Sequence, residues 1–406
     1  MKIINKGVCA PLGFKANGIH AGIRHNKEKI DLALIVSDVK ASAAAVYTSN
    51  LVKGAPVYVT QENIKDGYAK AMICNSGNAN TCNADGVDIA NQTCEILAKE
   101  INIDSKDVII ASTGVIGLPL SIEPFKNNMG KIVAGLGDTE AHADLAYQGI
   151  MTTDTKKKEV AVEFELGGKL CKIGAMTKGS GMIHPQMATM LCFITTDANI
   201  TPAMLDKALK STVDDTFNMV SVDGDTSTND MVSIMANGLA GNTLIDSEND
   251  DYKAFVDALY YVNTILAKKM AKDGEGATKL IICHVENAKT KNDAKLVAKS
   301  VICSSLLKSA MFGADANWGR VLCAIGYSKA DVDVLKVDVA FKSTKGIIPV
   351  CKTGSGIPFS EELAKKILTQ DEITIEINLN DGKGEAFAYG CDLTYDYVKI
   401  NGDYRS

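Results

Sequence analysis

The sequence of 406 residues lacks any apolar run close to the ~18 residues that a membrane-spanning helix needs. It also lacks an excess of basic residues: 43 Lys and Arg stand against 49 Asp and Glu, for a formal net charge of −6. A negative chain disfavours binding to a nucleic-acid backbone or an anionic membrane. The first residues contain no signal-peptide core, so we expect a cytoplasmic protein.

Paired metal-binding and disulfide patterns are missing as well. The eleven cysteines are scattered from Cys9 to Cys391 without a CxxC pair, and the five histidines form no HxxxH pair. A disulfide framework, a zinc ribbon and a zinc hydrolase are therefore disfavoured. We expect no metal site, and most of the cysteines as small buried apolar residues.

Three common nucleotide and hydrolase motifs are absent. The GSG at residues 179–181 and 354–356 lacks the third glycine of a dinucleotide fingerprint, and neither a P-loop nor a GxSxG elbow occurs. DGDTSTND, residues 223–230, resembles a calcium loop only superficially, because the required glycine and the final glutamate are missing. The sequence thus predicts no bound cofactor.

What the sequence does contain is a mixture of helical and strand periodicity. Apolar residues from Val87 to Ile101, and from Phe255 to Met270, recur at helical spacing. Strict alternation over residues 160–166 and 373–379 is typical of half-exposed strands, and apolar runs such as Leu32–Val36 are typical of buried ones. The pattern predicts helices packed on sheets.

The predicted fold is α/β: helices on mixed, largely antiparallel sheets in an αββα-like sandwich, with a smaller C-terminal α/β domain. A polar stretch near residue 285 suggests a division into a main domain, 1–284, and a smaller C-terminal domain, 285–406.

Glycine-rich polar loops separate the apolar runs, and such loops are where functional sites tend to lie. They are NSGNANTCNADG (75–86), STGVIG (112–117), TKGSGM (177–182), SVDGDTSTND (221–230), KDGEGAT (272–278) and FGADANWG (312–319).

One hydroxyl interrupts the apolar run that follows His184. Thr189 is either a β-branched residue suited to a strand, or a nucleophile. A nucleophilic threonine needs a base. If the Ala188–Thr189 bond is cut, the freed α-amine, with a reference pKa of ~8, can serve.

The residues around Thr189 resemble the self-cleavage signature of the ornithine acetyltransferase family, the bifunctional glutamate N-acetyltransferases of arginine biosynthesis. The shared signature is KGSGMIHP at residues 178–185 and MATML at residues 187–191, with Gln186 where the family commonly has Asn. Further segments also look like family motifs and run in order from residue 75 to 406: NSGNAN, STGVIG, MTTDT, DGDTSTND, DGEGATK, FGADANWGR and INGDYRS.

The resemblance implies a precursor that cuts itself before Thr189 into an α chain, 1–188, and a β chain, 189–406. It implies an enzyme that moves acetyl from N-acetylornithine to glutamate, by a ping-pong mechanism through an acetyl ester on Thr189. Thr113 and Gly114 match the oxyanion-hole pair, so Thr189, Thr113 and Gly114 are the expected catalytic residues. The expected substrate-binding residues are Thr152, Lys178, Thr189, Glu275, Asn401 and Ser406, with Lys178 facing a carboxylate and Glu275 the terminal ammonium of ornithine. The resemblance therefore also implies that domain 1–284 is the catalytic domain and that the tail of domain 285–406 returns to its active site.

Several alternatives stay open on sequence alone. A self-processing amidase or aminopeptidase of a related fold would use water as the acceptor, and a binding protein would need no nucleophile. Acetyl-CoA is a candidate co-substrate rather than a cofactor. The family also suggests assemblies of the α2β2 type or larger, with no nucleic-acid or membrane partner.

Overall fold

The computed structural model describes residues 1–24, 29–184 and 190–402. Sixteen strands lie in these ranges: β1 (Lys2–Ile4), β2 (Phe14–Ile19), β3 (Leu32–Tyr47), β4 (Tyr68–Asn78), β5 (Val108–Val115), β6 (Glu159–Leu166), β7 (Lys169–Lys178), β8 (Leu191–Thr196), β9 (Val220–Ser221), β10 (Met231–Ala236), β11 (Leu280–Ala288), β12 (Asp338–Ser343), β13 (Gly346–Lys352), β14 (Ser355–Gly356), β15 (Glu372–Asn378) and β16 (Gly384–Cys391).

The same ranges contain eleven α-helices: α1 (Ala55–Asn63), α2 (Gly86–Ile101), α3 (Glu123–Ala134), α4 (Glu140–Ile150), α5 (Pro202–Asp215), α6 (Asp250–Lys272), α7 (Lys291–Cys303), α8 (Ser305–Phe312), α9 (Trp318–Gly326), α10 (Glu361–Leu368) and α11 (Tyr395–Asn401). Within them, no helix has the length and apolar character needed to cross a membrane.

A first sheet has the order β1-β6-β7-β8-β10-β3-β4-β5, with β2 also paired to β3, and only the β8–β10 and β4–β5 pairs are parallel. Its longest strand, β3, changes register with β4 between Val36 and Ala41. Before this irregularity β3 pairs with β2 and β4. After it β3 keeps pairs with β4 at Ala41 and Ser42, and from Ser42 to Tyr47 it pairs with β10. The sheet therefore has two halves joined through β3.

The two halves pack face to face. Met72 on β4 and Ile109 on β5 share one buried cluster with Phe193 on β8 and Met231 on β10. Alternate residues of the first half, such as Ile73, pack under α1–α3. Alternate residues of the second half pack under α5 and α6. The layers run helix, sheet, sheet, helix, and the predicted αββα sandwich with largely antiparallel sheets is confirmed.

A second sheet, of order β14-β13-β12-β15-β11-β16-β9, lies beyond α6. Leu280 and Tyr389 on one of its faces join the cluster around α6, and the other face carries α7–α10. The boundary predicted at residues 284 and 285 falls inside β11, and β9 pairs with β16. The division into two domains stays a prediction.

Local periodicity anticipated several of these elements. The helix predicted over residues 87–101 is α2, and the strands predicted over 160–166 and 373–379 are β6 and β15. Met190 to Ile194 are buried, as predicted, but a strand start near Met187 lies outside the described residues.

Candidate active site

A cavity of about 290 Å³ opens where several glycine-rich loops meet. Six of the residues predicted for the site line it: Thr113, Gly114, Thr152, Lys178, Glu275 and Asn401. They come from the ends of β5 and β7, the segment after α4, the segment after α6, and the end of α11. Ala188, Thr189 and Ser406, also predicted, lie outside the described residues.

The end of β5 can approach β4 only because residue 114 is glycine. Gly114 has φ +133°, and a Cβ at this position would lie 2.3 Å from the carbonyl carbon of Gly77. The β4–β5 register is irregular at the same point, between Gly77 and Asn78. Both the positive φ and the close approach exclude other residues, so the Gly114 backbone takes a course that an ordinary strand could not follow.

Lys178, at the end of β7, places a cation beside this turn. Its Nζ donates a hydrogen bond to Thr113 Oγ1 at 3.3 Å. Burial lowers the pKa of Lys178, against the attraction of Asp154. A lysine that is short of solvent and faces a cavity is well suited to bind a carboxylate.

Asp154 is a buried acid whose charge acts on Lys178, and the sequence analysis did not predict it. Gly179 N–H donates to Asp154 Oδ1 at 2.7 Å, and Lys158 Nζ lies 2.6 Å from the same oxygen. Burial raises the pKa of Asp154, but Lys158 and Lys178 outweigh it and lower the value to about 2. Lys158 also pairs with Asp273. The MTTDT and DGEGATK motifs contained both acids, but only the fold brings them to one lysine.

Glu275 provides the negative group at the other side of the cavity. Thr153 Oγ1 donates to Glu275 Oε1, and Asn401 Nδ2 donates to Glu275 Oε2, each at 2.8 Å. The backbone N–H of Glu275 donates to Ser180 O at 2.8 Å. These bonds fix the carboxylate and connect α11 to the site. The last described helix thus reaches the cavity, as the prediction of a returning tail requires.

Asp230 is a second acid that the sequence analysis did not predict, and it lines the cavity. It is 2% exposed, and burial raises its pKa well above the usual range, although Ser227 and Lys178 oppose the shift. It lies in the DGDTSTND motif. This motif identified the loop as a candidate functional segment but did not indicate which of its side chains faces the cavity.

His184 is the last described residue before the gap at residues 185–189. Its Nδ1 lies 3.1 Å from Ser221 Oγ and 3.5 Å from Cys303 Sγ. Burial, with Lys299 nearby, lowers the pKa of His184 to about 4. The ring is therefore neutral near pH 7, and it is not among the residues that line the cavity.

The cavity combines a buried cation, a fixed carboxylate and a strand end whose geometry only glycine allows. No three His, Cys, Asp or Glu side chains in the described ranges are placed to hold a metal ion. Charges of opposite sign in a small enclosed space suit a zwitterionic small molecule. The fold and the site define an α/β sandwich protein with a pocket for a molecule of amino-acid size.

Comparisons with known proteins give the family. The ArgJ family profile matches residues 15–406. The arginine biosynthesis bifunctional protein ArgJ 1 of Clostridium acetobutylicum is 52% identical over 403 residues, covering 99% of this chain and 98% of its own. The ArgJ protein of Caldanaerobacter subterraneus subsp. tengcongensis is 50% identical over 407 residues, covering 100% of both chains.

A solved structure agrees with this assignment. The crystal structure of the arginine biosynthesis bifunctional protein ArgJ from Bacillus halodurans is 48% identical, with a TM-score of 0.51, and covers 53% of this chain and 100% of that one. The chain belongs to the ArgJ family, and the family resemblance stated from the sequence is confirmed.

Proposed function

We propose that this protein is a self-processing acetyltransferase that moves acetyl from N-acetyl-L-ornithine to L-glutamate in arginine biosynthesis. The observation that carries the proposal is the single cavity shared by Thr113, Gly114, Lys178 and Glu275. Membership of the ArgJ family supports the reaction, and the charges of the cavity support the substrates.

Both substrates carry an α-carboxylate, and Lys178 is its partner in this proposal. Ornithine has a terminal ammonium, which Glu275 would receive while Thr153 and Asn401 hold its carboxylate in place. Thr152 and Ser406 complete the proposed binding set.

The proposed chemistry is acyl transfer in two halves. The Thr189 hydroxyl attacks the acetyl carbonyl and the freed Thr189 amine takes its proton. The carbon–nitrogen bond then breaks, and the same proton passes to the nitrogen of the departing ornithine. The α-amine of glutamate then attacks the acetyl ester, the bond from the acetyl carbon to Thr189 Oγ breaks, and the proton lost by the attacking amine returns to that oxygen. In each half a negative oxygen develops, and Thr113 with the Gly114 N–H would stabilise it, at ~3–4 kcal/mol for each donor.

We also propose that acetyl-CoA serves as a second acetyl donor, which the description of the relatives as bifunctional supports. A cytoplasmic location and an assembly of two or more α and β chains complete the proposal. They rest on the family resemblance.

Two measurements test the central proposal. A denaturing gel of active protein should show fragments 1–188 and 189–406, whereas Thr189→Ala should give one uncut chain without transferase activity. Incubation with N-acetylornithine should then produce N-acetylglutamate only when glutamate is present. Deacetylation at the same rate without glutamate would instead establish the amidase alternative.

A further inference from the structure

The loop that precedes β10 contains a buried amide, Asn229, which no step of the proposed reaction uses. Asn229 is 6% exposed and lies in the wall of the active-site cavity. It stands two residues before β10, in the second half of the first sheet. Two of its hydrogen-bond partners, Ala79 after β4 and Ser112 on β5, belong to the first half. The side chain therefore bridges the two layers of the sandwich beside the cavity.

Four hydrogen bonds use every donor and acceptor position of this amide. Its Nδ2 donates to Ala79 O at 2.5 Å and to Ser112 O at 3.0 Å. Its Oδ1 accepts from Thr81 Oγ1 and from Thr228 Oγ1, each at 2.6 Å. Because a carbonyl oxygen can only accept, the amide nitrogen must face the two carbonyls and the amide oxygen must face the two hydroxyls. A buried amide satisfied in this way is held in one orientation.

The carbonyls that Asn229 holds lie on either side of the proposed oxyanion donors, residues 113 and 114. Ser112 comes directly before this pair. On the other side, the Ala79 N–H donates to Val115 O at 2.9 Å, while the Ala79 carbonyl accepts from Asn229. One side chain therefore holds the turn at the end of β5 both before and after the two donors.

The backbone beside Asn229 is joined to the strand that follows the predicted nucleophile. The Met231 N–H donates to Met190 O at 2.8 Å, and Met231 pairs with Leu191 in the parallel ladder of β8 and β10. Thr189 directly precedes Met190 in the sequence. Asn229 thus connects the turn at the end of β5, in one layer, to the start of β8 in the other.

Packing prevents the amide from rotating away from these partners. Gly54 lies against it, and a Cβ on Gly54 would lie 2.5 Å from Asn229 Nδ2. The Gly54 N–H also donates to Thr228 O at 2.9 Å, which fixes the residue before Asn229. The amide is therefore confined by contacts as well as by hydrogen bonds.

We propose that Asn229 is a positioning residue that sets the distance between the oxyanion donors on β5 and the nucleophile that precedes β8. An oxyanion donor stabilises the developing charge only when its N–H points at that charge, and a displacement of about 1 Å costs about 10²-fold in rate. Lys178 and Glu275 lie on other segments, so substrate binding depends much less on this amide. The inference rests on the proposed function, because it takes Thr113 and Gly114 as the oxyanion donors.

Asn229→Asp tests this role, because it keeps the size of the side chain and removes both N–H donors. We expect kcat for acetyl transfer to fall by about 10–100-fold. KM for N-acetylornithine should change by less than about threefold. Burial raises the pKa of the introduced carboxyl group, and its neutral form can donate one hydrogen bond. Relative to the wild type, kcat should therefore recover in part between about pH 8 and about pH 6, whereas Asn229→Ala should show no such recovery.

Asn242→Asp is the matched control. Asn242 is 3% exposed, and its Nδ2 donates to Asn199 O at 3.2 Å and to Thr243 O at 2.8 Å, beyond the end of β10 that is far from the cavity. Thermal unfolding should show a comparable loss of stability in the two Asp variants, but Asn242→Asp should keep its kcat. If Asn229→Asp does not fold, Thr81→Val serves in its place. It removes one hydroxyl that orients the Asn229 amide and should lower kcat by about threefold.

The outcomes separate this inference from the proposed function. A folded, self-cleaved Asn229→Asp enzyme with wild-type kcat overturns the inference, as does an equal loss of kcat in Asn242→Asp. Where Thr81→Val replaces the first variant, an unchanged kcat overturns it as well. A wild-type enzyme that deacetylates N-acetylornithine without passing acetyl to glutamate overturns the proposed function instead. The inference is then decided by kcat for deacetylation, which uses the same oxyanion donors.

Discussion

Gly114→Ala tests whether the turn at the end of β5 stabilises the transition state. A methyl group added there would lie 2.3 Å from the carbonyl carbon and 2.6 Å from the carbonyl oxygen of Gly77. Neither contact can be relieved by a side-chain rotation, because both are with backbone atoms. The β5 turn must shift, and the Gly114 N–H shifts with it.

The magnitude follows from two separate costs. Loss of one aligned oxyanion donor costs ~3–4 kcal/mol, so kcat for transfer from N-acetylornithine to glutamate should fall by about 10²–10³-fold. The non-glycine residue at φ +133° adds about 1–3 kcal/mol of strain and should lower the melting temperature.

Gly117→Ala provides a matched control on the same loop. Gly117 also has a positive φ, +80°, but a Cβ there would meet no atom within 4 Å. It should show the loss of stability without the loss of kcat. Steady-state kinetics and thermal unfolding of both variants, with self-cleavage followed on a gel, distinguish loss of the oxyanion donor from loss of stability. A folded, cleaved Gly114→Ala enzyme with wild-type kcat would refute the reasoning.

Three further predictions concern other parts of the site. Glu275→Gln should raise KM for N-acetylornithine by about 10–100-fold, since it removes a charge-assisted hydrogen bond; an unchanged KM would place the ornithine ammonium elsewhere. Asp154 has its pKa lowered to about 2, so its stabilisation of ~2 kcal/mol is complete above the usual value near 4 and is lost as pH falls from about 4 to about 2. Urea unfolding between pH 6 and pH 2.5 should show this loss of unfolding free energy in the wild type. In Asp154→Asn the unfolding free energy should depend less on pH. Deletion of residues 401–406 should abolish transfer with less than about 1 kcal/mol of destabilisation, because Asn401 reaches Glu275 while its own surface is exposed; full activity after deletion would contradict the role of the tail.

Local sequence determined the regular elements and the family. The helix α2 and the strands β6 and β15 were predictable because one-sided burial imposes a period of 3.6 or 2 on neighbouring residues. The motifs around Thr189, Thr113 and Lys178 identified the family because each is a short, contiguous set of residues.

Only the tertiary structure decided which distant groups meet. Asp273 pairs with Lys158, and Asn401 donates a hydrogen bond to Glu275, across separations that no local pattern encodes. The same is true of β3, whose two halves bring the two layers of the first sheet face to face. Periodicity reports which side of an element is buried, but not what lies against it. The arrangement of charges around the cavity therefore depends on the folded chain and not on any local pattern.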